Sequence, residues 1–447
     1  MADILLVGDR LFPPLSSEDG KIVFALVRAF SDQHHRVCVL TLFPENQADN
    51  ETNLARRLRT VNAKLADGER TCPLFEGTSA IGQFSYFVLG VTPEDRGHAA
   101  AFLASATSAL VQDKLFNPNT VIAWGETSTP ALSTTLATTR LFVLPTGSWT
   151  GPLSGKERAA LNPHAADLEL AQYSLAGLGA INANTVVFPT LSAQTRFFNS
   201  PDFSYRASDL QLVTIRLGCD EAPFDPAVDT TIPSSFSTSS TTGKIECRKQ
   251  FARRSSLALG PRTLLLATSC LYFTPSARAF ISSLPIILSL DVVLAIPEGG
   301  DSVLEEQAKR FAIEFPGKVA IIPRSKIDQD RCFLASADAM LLFDENSQSG
   351  RETGLCHRYG TLPVAPKLGA YDDYITDFDP ISKTGNGILF SPSTPQEVVI
   401  AIDRVRGLKE DIDTWNALQQ QLLCSYPRWE ATVEMFKQLE AKEPTVG

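Results

Sequence analysis

A chain of 447 residues is longer than one hydrophobic core organises and fits two domains of about 200 residues each. With 44% hydrophobic and 20% charged residues it falls in the ordinary globular class, which excludes a disordered chain. The formal net charge of -10 excludes nucleic acid and anionic membrane as partners, because phosphate is held mainly by Lys and Arg.

The opening residues, MADILLVGDRLF, lack the basic start of a secretion signal and run directly into a first core strand at 3–7. A cytosol-like compartment is the expectation, with a trimmed organelle transit peptide as the alternative. An amphipathic helix at 21–31 follows, then a strand at 37–43 (VCVLTLF), and this strand, helix, strand rhythm implies a parallel sheet covered by helices. Further strands are expected at 86–89, 121–123, 141–144, 185–188 and 212–216. The stretch 230–243 (TTIPSSFSTSSTTG) is rich in Ser and Thr and reads as an exposed, flexible loop or linker. The rhythm then restarts, with strands at 263–267, 291–296, 319–322, 339–343, 362–364 and 387–390 and helices at 302–315 and 394–408.

The economical organisation is two doubly wound α/β domains: 1–220, a linker at 221–245, a second domain at 246–425, and a C-terminal helix at 426–447 that returns to the first. The longest apolar run, 281–296, contains Pro285 and Asp291 and is too short to span a bilayer. Eight cysteines are scattered without a CxxC pair, which indicates neither a zinc site nor a disulfide framework. His98, His164 and His357 lie far apart, so no metal or other cofactor is expected, and His34 and His35 read as surface residues at a helix end. No P-loop, GxGxxG, GxSxG or HExxH pattern occurs.

Longer patterns are more informative. Leu217-Gly218-Cys219-Asp220 with Phe224-Asp225-Pro226 is followed by Gly243-Lys244, Arg248 and Phe251. Gly300-Asp301 with Leu304-Glu305-Glu306, Phe315-Pro316-Gly317-Lys318-Val319, Ser336-Ala337-Asp338-Ala339 and Arg358-Tyr359-Gly360-Thr361-Leu362-Pro363-Val364 come next, and Asp377-Phe378-Asp379-Pro380 and Gly385-Asn386-Gly387 complete the series. In this order the stretches resemble the C-terminal half of the glycogen and starch synthases, the family 5 glucosyltransferases. Residues 175–196, and more weakly Trp124 and Pro130, resemble parts of their N-terminal half. The resemblance implies a GT-B fold, two Rossmann-like domains facing a cleft, and transfer of glucose from ADP- or UDP-glucose to an α-1,4-glucan.

The positions at which that family does its chemistry depart from its pattern. Transfer needs the diphosphate leaving group held by cations and helix N-termini while negative charge develops there. The family's K-T-G-G-L loop falls at 15–19, where Leu15, Ser17 and Glu18 replace the lysine and both glycines. Its S-R-L-T-x-Q-K-G motif falls at 269–276, where Cys270 and Pro275 replace both cations. In the F-E-P-C-G-L motif Ser347 stands for the glutamate that contacts donor glucose, flanked by Glu345 and Glu352 as the candidate substitutes. The T-G-G-L element becomes Leu368-Gly369-Ala370-Tyr371, with Ala370 in place of a glycine. The second histidine of H-D-W-H-T becomes Gly125.

Lys367, Gly369 and Arg351 are the remaining candidates for holding a nucleotide sugar. Tyr272, Phe273 and Tyr371 are candidates for filling the cleft, and Tyr86, Phe87, Phe197, Phe198, Tyr205 and Tyr272 are read as core rather than sugar-stacking residues. Three functions stay open: an inactive synthase-like protein that binds glucan chains, an active synthase or a larger assembly; an active retaining glucosyltransferase using Glu345 or Glu352; and a nucleotide-sugar sensor.

Overall fold

The computed structural model describes residues 2–12, 18–48, 54–65, 68–78, 84–161, 169, 174–200, 203, 210–220, 224–323, 328–345, 349–392 and 394–440. It divides into one unit of Met1–Arg216 with Trp429–Gly447 and a second of Leu217–Arg428.

In the first unit β1 (Asp3–Val7), β2 (Arg36–Phe43), β3 (Leu54–Leu65), β4 (Gly68–Thr78), β5 (Ser85–Gly90), β6 (Thr120–Trp124), β7 (Thr139–Val143), β8 (Thr185–Phe188) and β9 (Gln211–Thr214) form one sheet, ordered β3-β4-β5-β2-β1-β6-β7-β8-β9. The strands from β5 to β9 in this order are parallel, and β3 and β4 extend the edge as an antiparallel hairpin. That hairpin is absent from the sequence reading. Its first strand (LARRLRTVNAKL) carries a bulge between Arg56 and Thr60, which breaks the period-two alternation that would betray a strand.

Strands buried on both faces, such as DILLV and TVIAW, are the continuous apolar runs a covered parallel sheet requires. The helix Arg96–Gln112 lies against this core through Phe102, Leu103 and Ala106, and its many small residues permit close approach. The helix Trp429–Glu440 packs in this unit, with Phe436 buried and its ring 5.9 Å from that of Phe30. The exposed His34 takes φ of 66° where the helix Glu18–Asp32 ends.

The second unit holds a six-stranded parallel sheet of β10 (Leu264–Thr268), β11 (Val292–Pro297), β12 (Val319–Ile322), β13 (Ala339–Leu341), β14 (Leu362–Pro366) and β15 (Ile388–Phe390), ordered β12-β11-β10-β13-β14-β15. The Ser/Thr-rich stretch is not a free linker. Ile232 and Phe236 are buried in a cluster with Tyr359 and Tyr371. Asp229, also buried, accepts a hydrogen bond from the Tyr359 hydroxyl at 2.8 Å. Two apolar anchors and one buried carboxylate fix a segment whose average composition is that of a loop. Among the described residues no helix is long and apolar enough to cross a membrane.

Candidate functional site

In doubly wound sheets ligands gather beyond the carboxyl ends of the strands, where the strand order reverses. In the second unit this place lies between β10 and β13. The two loops that leave these strands are tied together. Ser269 Oγ accepts from Phe343 N at 2.9 Å, Thr274 Oγ1 donates to Phe343 O at 3.2 Å, and Glu345 Oε1 accepts from Ser276 N at 2.8 Å. Pro275 opens the helix Pro275–Ile287, and its preset φ suits that first position. Cys270 precedes it, half-buried and in no disulfide. Neither Cys270 nor Pro275 carries a positive charge. Tyr272 and Phe273, in the same loop, are exposed, so Tyr272, like Phe198 at the end of its short helix in the first unit, is not the core residue expected from its apolar ring.

The other candidates of this unit follow β13 and β14. Gly350, at φ of 64°, caps the helix Arg351–Arg358, and a Cβ there would lie 2.4 Å from the Tyr374 ring. Arg351 is buried at 7% exposure, with Nη1 donating to Gly218 O at 3.3 Å and the guanidinium 5.6 Å from the Phe224 ring centroid. As placed, its charge serves the polypeptide rather than a ligand. Glu352 accepts from the Tyr371 hydroxyl at 3.2 Å, and Tyr371 is buried at 1% exposure. Burial and then the Glu352 charge raise the Tyr371 pKa, so its hydroxyl stays a proton donor. Lys367 is exposed just beyond β14, two residues before Gly369, whose φ of 56° starts the helix Gly369–Tyr374 with Ala370 buried behind it. In the first unit, Glu18 opens the helix Glu18–Asp32. Leu15, Ser17, Ser347 and Tyr205 lie outside the described residues.

Three of the family-like residues that persist, Lys244, Arg248 and Asp338, bond within the second unit. Lys244 is 4% exposed, and its ammonium reaches Leu334 O and Tyr359 O at 3.0 Å and Thr361 Oγ1 at 2.8 Å. Burial pushes its pKa down to about 7, against the opposing pull of the Asp338 charge. Asp338, 4% exposed, accepts from Arg248 Nε at 3.0 Å and from Leu265 N at 2.8 Å, and it also bonds Lys409. Burial works to raise the Asp338 pKa, but Lys409 and Arg248 outweigh it and hold the carboxyl below its ordinary value.

In the first unit the strand order reverses between β1 and β6. Gly125, at φ of 80°, turns the chain out of β6 into the helix Glu126–Thr134. Beyond the strand ends lies a cavity of about 460 Å3, bounded by Asp9, Phe12, Phe43, Glu94, Arg96 and Thr127 among others. Thr127 Oγ1 donates to Asp9 at 2.9 Å. Beside the cavity, Glu126 accepts from Thr150 N at 3.0 Å and lies 3.6 Å from Arg96, which also meets Glu157 at 3.0 Å. Burial, helped by the charge of Asp9, raises the Glu126 pKa. Phe12 and Phe43, whose rings meet edge to face at 5.2 Å, line it together with the carboxylates of Asp9 and Glu94, groups of the kinds that pack on and hydrogen-bond a polyhydroxylated ring. Sequence reading passed over these residues because the turn Pro93-Glu94-Asp95-Arg96 looks like any polar turn.

Two Rossmann-like units, each with its strand order reversing beside the loops described above, define a protein of the GT-B glycosyltransferase fold. Structural comparison agrees. The chain superposes on the catalytic domain of starch synthase IV from Arabidopsis thaliana bound to ADP and acarbose with a TM-score of 0.79, covering 98% of each chain at 15% identity. Over 275 residues it is 27% identical to a glycogen synthase of Rhodopseudomonas palustris (strain BisA53), covering 60% of this chain and 56% of that one. It is 28% identical over 275 residues to a glycogen synthase of Anaeromyxobacter dehalogenans (strain 2CP-1 / ATCC BAA-258), covering 59% and 56%. The chain thus spans about half the length of the curated relatives it matches. No protein-family profile matches it. The chain is thus similar in sequence to glycogen synthases and in fold to a starch synthase.

Proposed function

We propose that this synthase-like protein is catalytically inactive and works by binding in a cytosol-like compartment, as a regulatory or structural subunit. The observation that carries the reading is a separation of roles. Lys244, Arg248 and Asp338, three of the charged family-like residues that persist, are engaged in bonds within the second unit, Lys244 and Asp338 fully buried and Arg248 partly so. The cations expected around a leaving diphosphate are replaced by Cys270 and Pro275, and Arg351 is engaged with Gly218. Losing one contact of this kind costs a few kcal/mol of transition-state stabilisation, and several losses together remove turnover.

The partner favoured is a glucan chain, on the strength of the aromatic and carboxylate-lined cavity of the first unit. An active synthase or a larger assembly are the other partners to test. The second reading, an active retaining glucosyltransferase, is favoured by Lys367 beside Gly369, a glycine that keeps positive φ. It requires Glu345 or Glu352 to leave its present partner.

Incubation with radiolabelled ADP-glucose and UDP-glucose and with glycogen separates the two. We expect no label in glycogen, together with retardation of the protein in glycogen-containing native gels. Transfer above background sinks the proposal and makes Glu345, Glu352 and Lys367 the next variants.

A further inference from the structure

The helix Pro275–Ile287 begins where strand order reverses in the second unit. The first amides of a helix have no partner inside it, and its aligned peptide dipoles leave positive charge at that end. At a switch point the pair of effects receives phosphate. Here the early amides are all engaged by the chain itself. Pro275 has no N–H. Ser276 N donates to Glu345 Oε1 at 2.8 Å, Ala277 N to Thr274 Oγ1 at 3.3 Å, and Arg278 N to Thr274 O at 3.1 Å. The only charged group among these acceptors is the Glu345 carboxylate. It is carried by the loop leaving β13, which Thr274 and Ser269 also hold.

We infer that Glu345 is a resident anion that closes this helix start to phosphates, and so determines that the second unit does not take a nucleoside diphosphate or its sugar ester. The inference rests on the reading of the protein as inactive and deepens it. An incoming diphosphate must break the Glu345 bond to Ser276 and sit beside a like charge, with no cation at position 270 or 275 to compensate. A neutral saccharide meets no such repulsion.

The test is calorimetric titration of the full chain and two variants with ADP, UDP and inorganic pyrophosphate. Glu345→Ala removes both charge and acceptor. Glu345→Gln keeps an acceptor for Ser276 N and removes the charge alone, so it carries the test if the alanine variant does not fold. The unaltered protein is expected to give no saturable heat up to about 10 mM ligand, and each variant to bind pyrophosphate at least about tenfold more tightly than that limit.

Saturable binding of ADP or pyrophosphate by the unaltered protein overturns the inference. So does a folded variant that still binds nothing, since Glu345 is then not what closes the site. Glucose transfer by the unaltered protein overturns the functional reading itself. Diphosphate binding without transfer overturns only the role given to Glu345.

Discussion

Replacing the buried Asp338 with asparagine removes one negative charge from between two partly buried cations. Arg248 and Lys409 keep only 12% and 11% of their side chains exposed, and both bond the same carboxylate oxygen. Asparagine still offers an oxygen to Leu265 N, so the backbone bond at 2.8 Å can persist while both ion pairs are lost. Breaking a buried pair from one side costs about 3–5 kcal/mol, and the retained bond puts this change at the lower end, about 3 kcal/mol. For a unit of this size that lowers the melting temperature by about 6–12 °C.

The pH dependence has a definite sign. The folded pKa of Asp338 lies below its ordinary 3.8, so the carboxylate contributes its full stability above pH of about 4 and loses it as pH falls through the folded value. Asp338→Asn should therefore flatten the acid limb of the stability curve as well as lower its plateau. Differential scanning calorimetry from pH 2.5 to 7 (roughly the range over which carboxylates titrate) follows both. A shift smaller than about 2 °C with an unchanged acid limb would refute the hub assigned to Asp338.

Two further predictions follow from the same packing. Lys244→Met leaves the carbonyls of Leu334 and Tyr359 without their 3.0 Å donor in a buried site, and we expect a loss of about 2 kcal/mol or more in urea unfolding, with the m-value unchanged. Phe436→Ala empties the place of a side chain 1% exposed beside Phe30, and about 3–5 kcal/mol should be lost from the first unit. Hydrogen exchange should then rise along Glu18–Asp32. Unchanged protection there would remove the helix Trp429–Glu440 from that core.

Much of the fold was legible because parallel strands covered on both faces must be continuous apolar runs. LLLAT of β10 and VVLAIP of β11 announce themselves without any tertiary information. The hairpin of β3 and β4 was not legible, since its pairing depends on an edge that only the folded sheet supplies and its bulge disrupts alternation. The segment at 230–243 misled in the opposite direction. Its composition is that of a solvated loop, and burial of Ile232 and Phe236 is set by a cluster drawn from residues as distant as Leu423.

The candidate site divides in the same way. Order and spacing along the chain are enough to identify the glycogen and starch synthase resemblance and to mark Cys270, Pro275 and Ala370 as departures, because a residue type either can or cannot carry charge or admit close backbone approach. What those positions do instead is decided only in three dimensions. Glu345 and Ser276 lie 69 residues apart and meet at a helix start; Lys244 reaches acceptors 90 to 117 residues away; Arg351 turns to a carbonyl 133 residues back. A charged side chain written in the sequence has no assigned role until folding settles whether burial leaves it facing a partner or solvent, and in this protein that settlement turned three retained charges into scaffold and one flanking carboxylate into an occupant of the site.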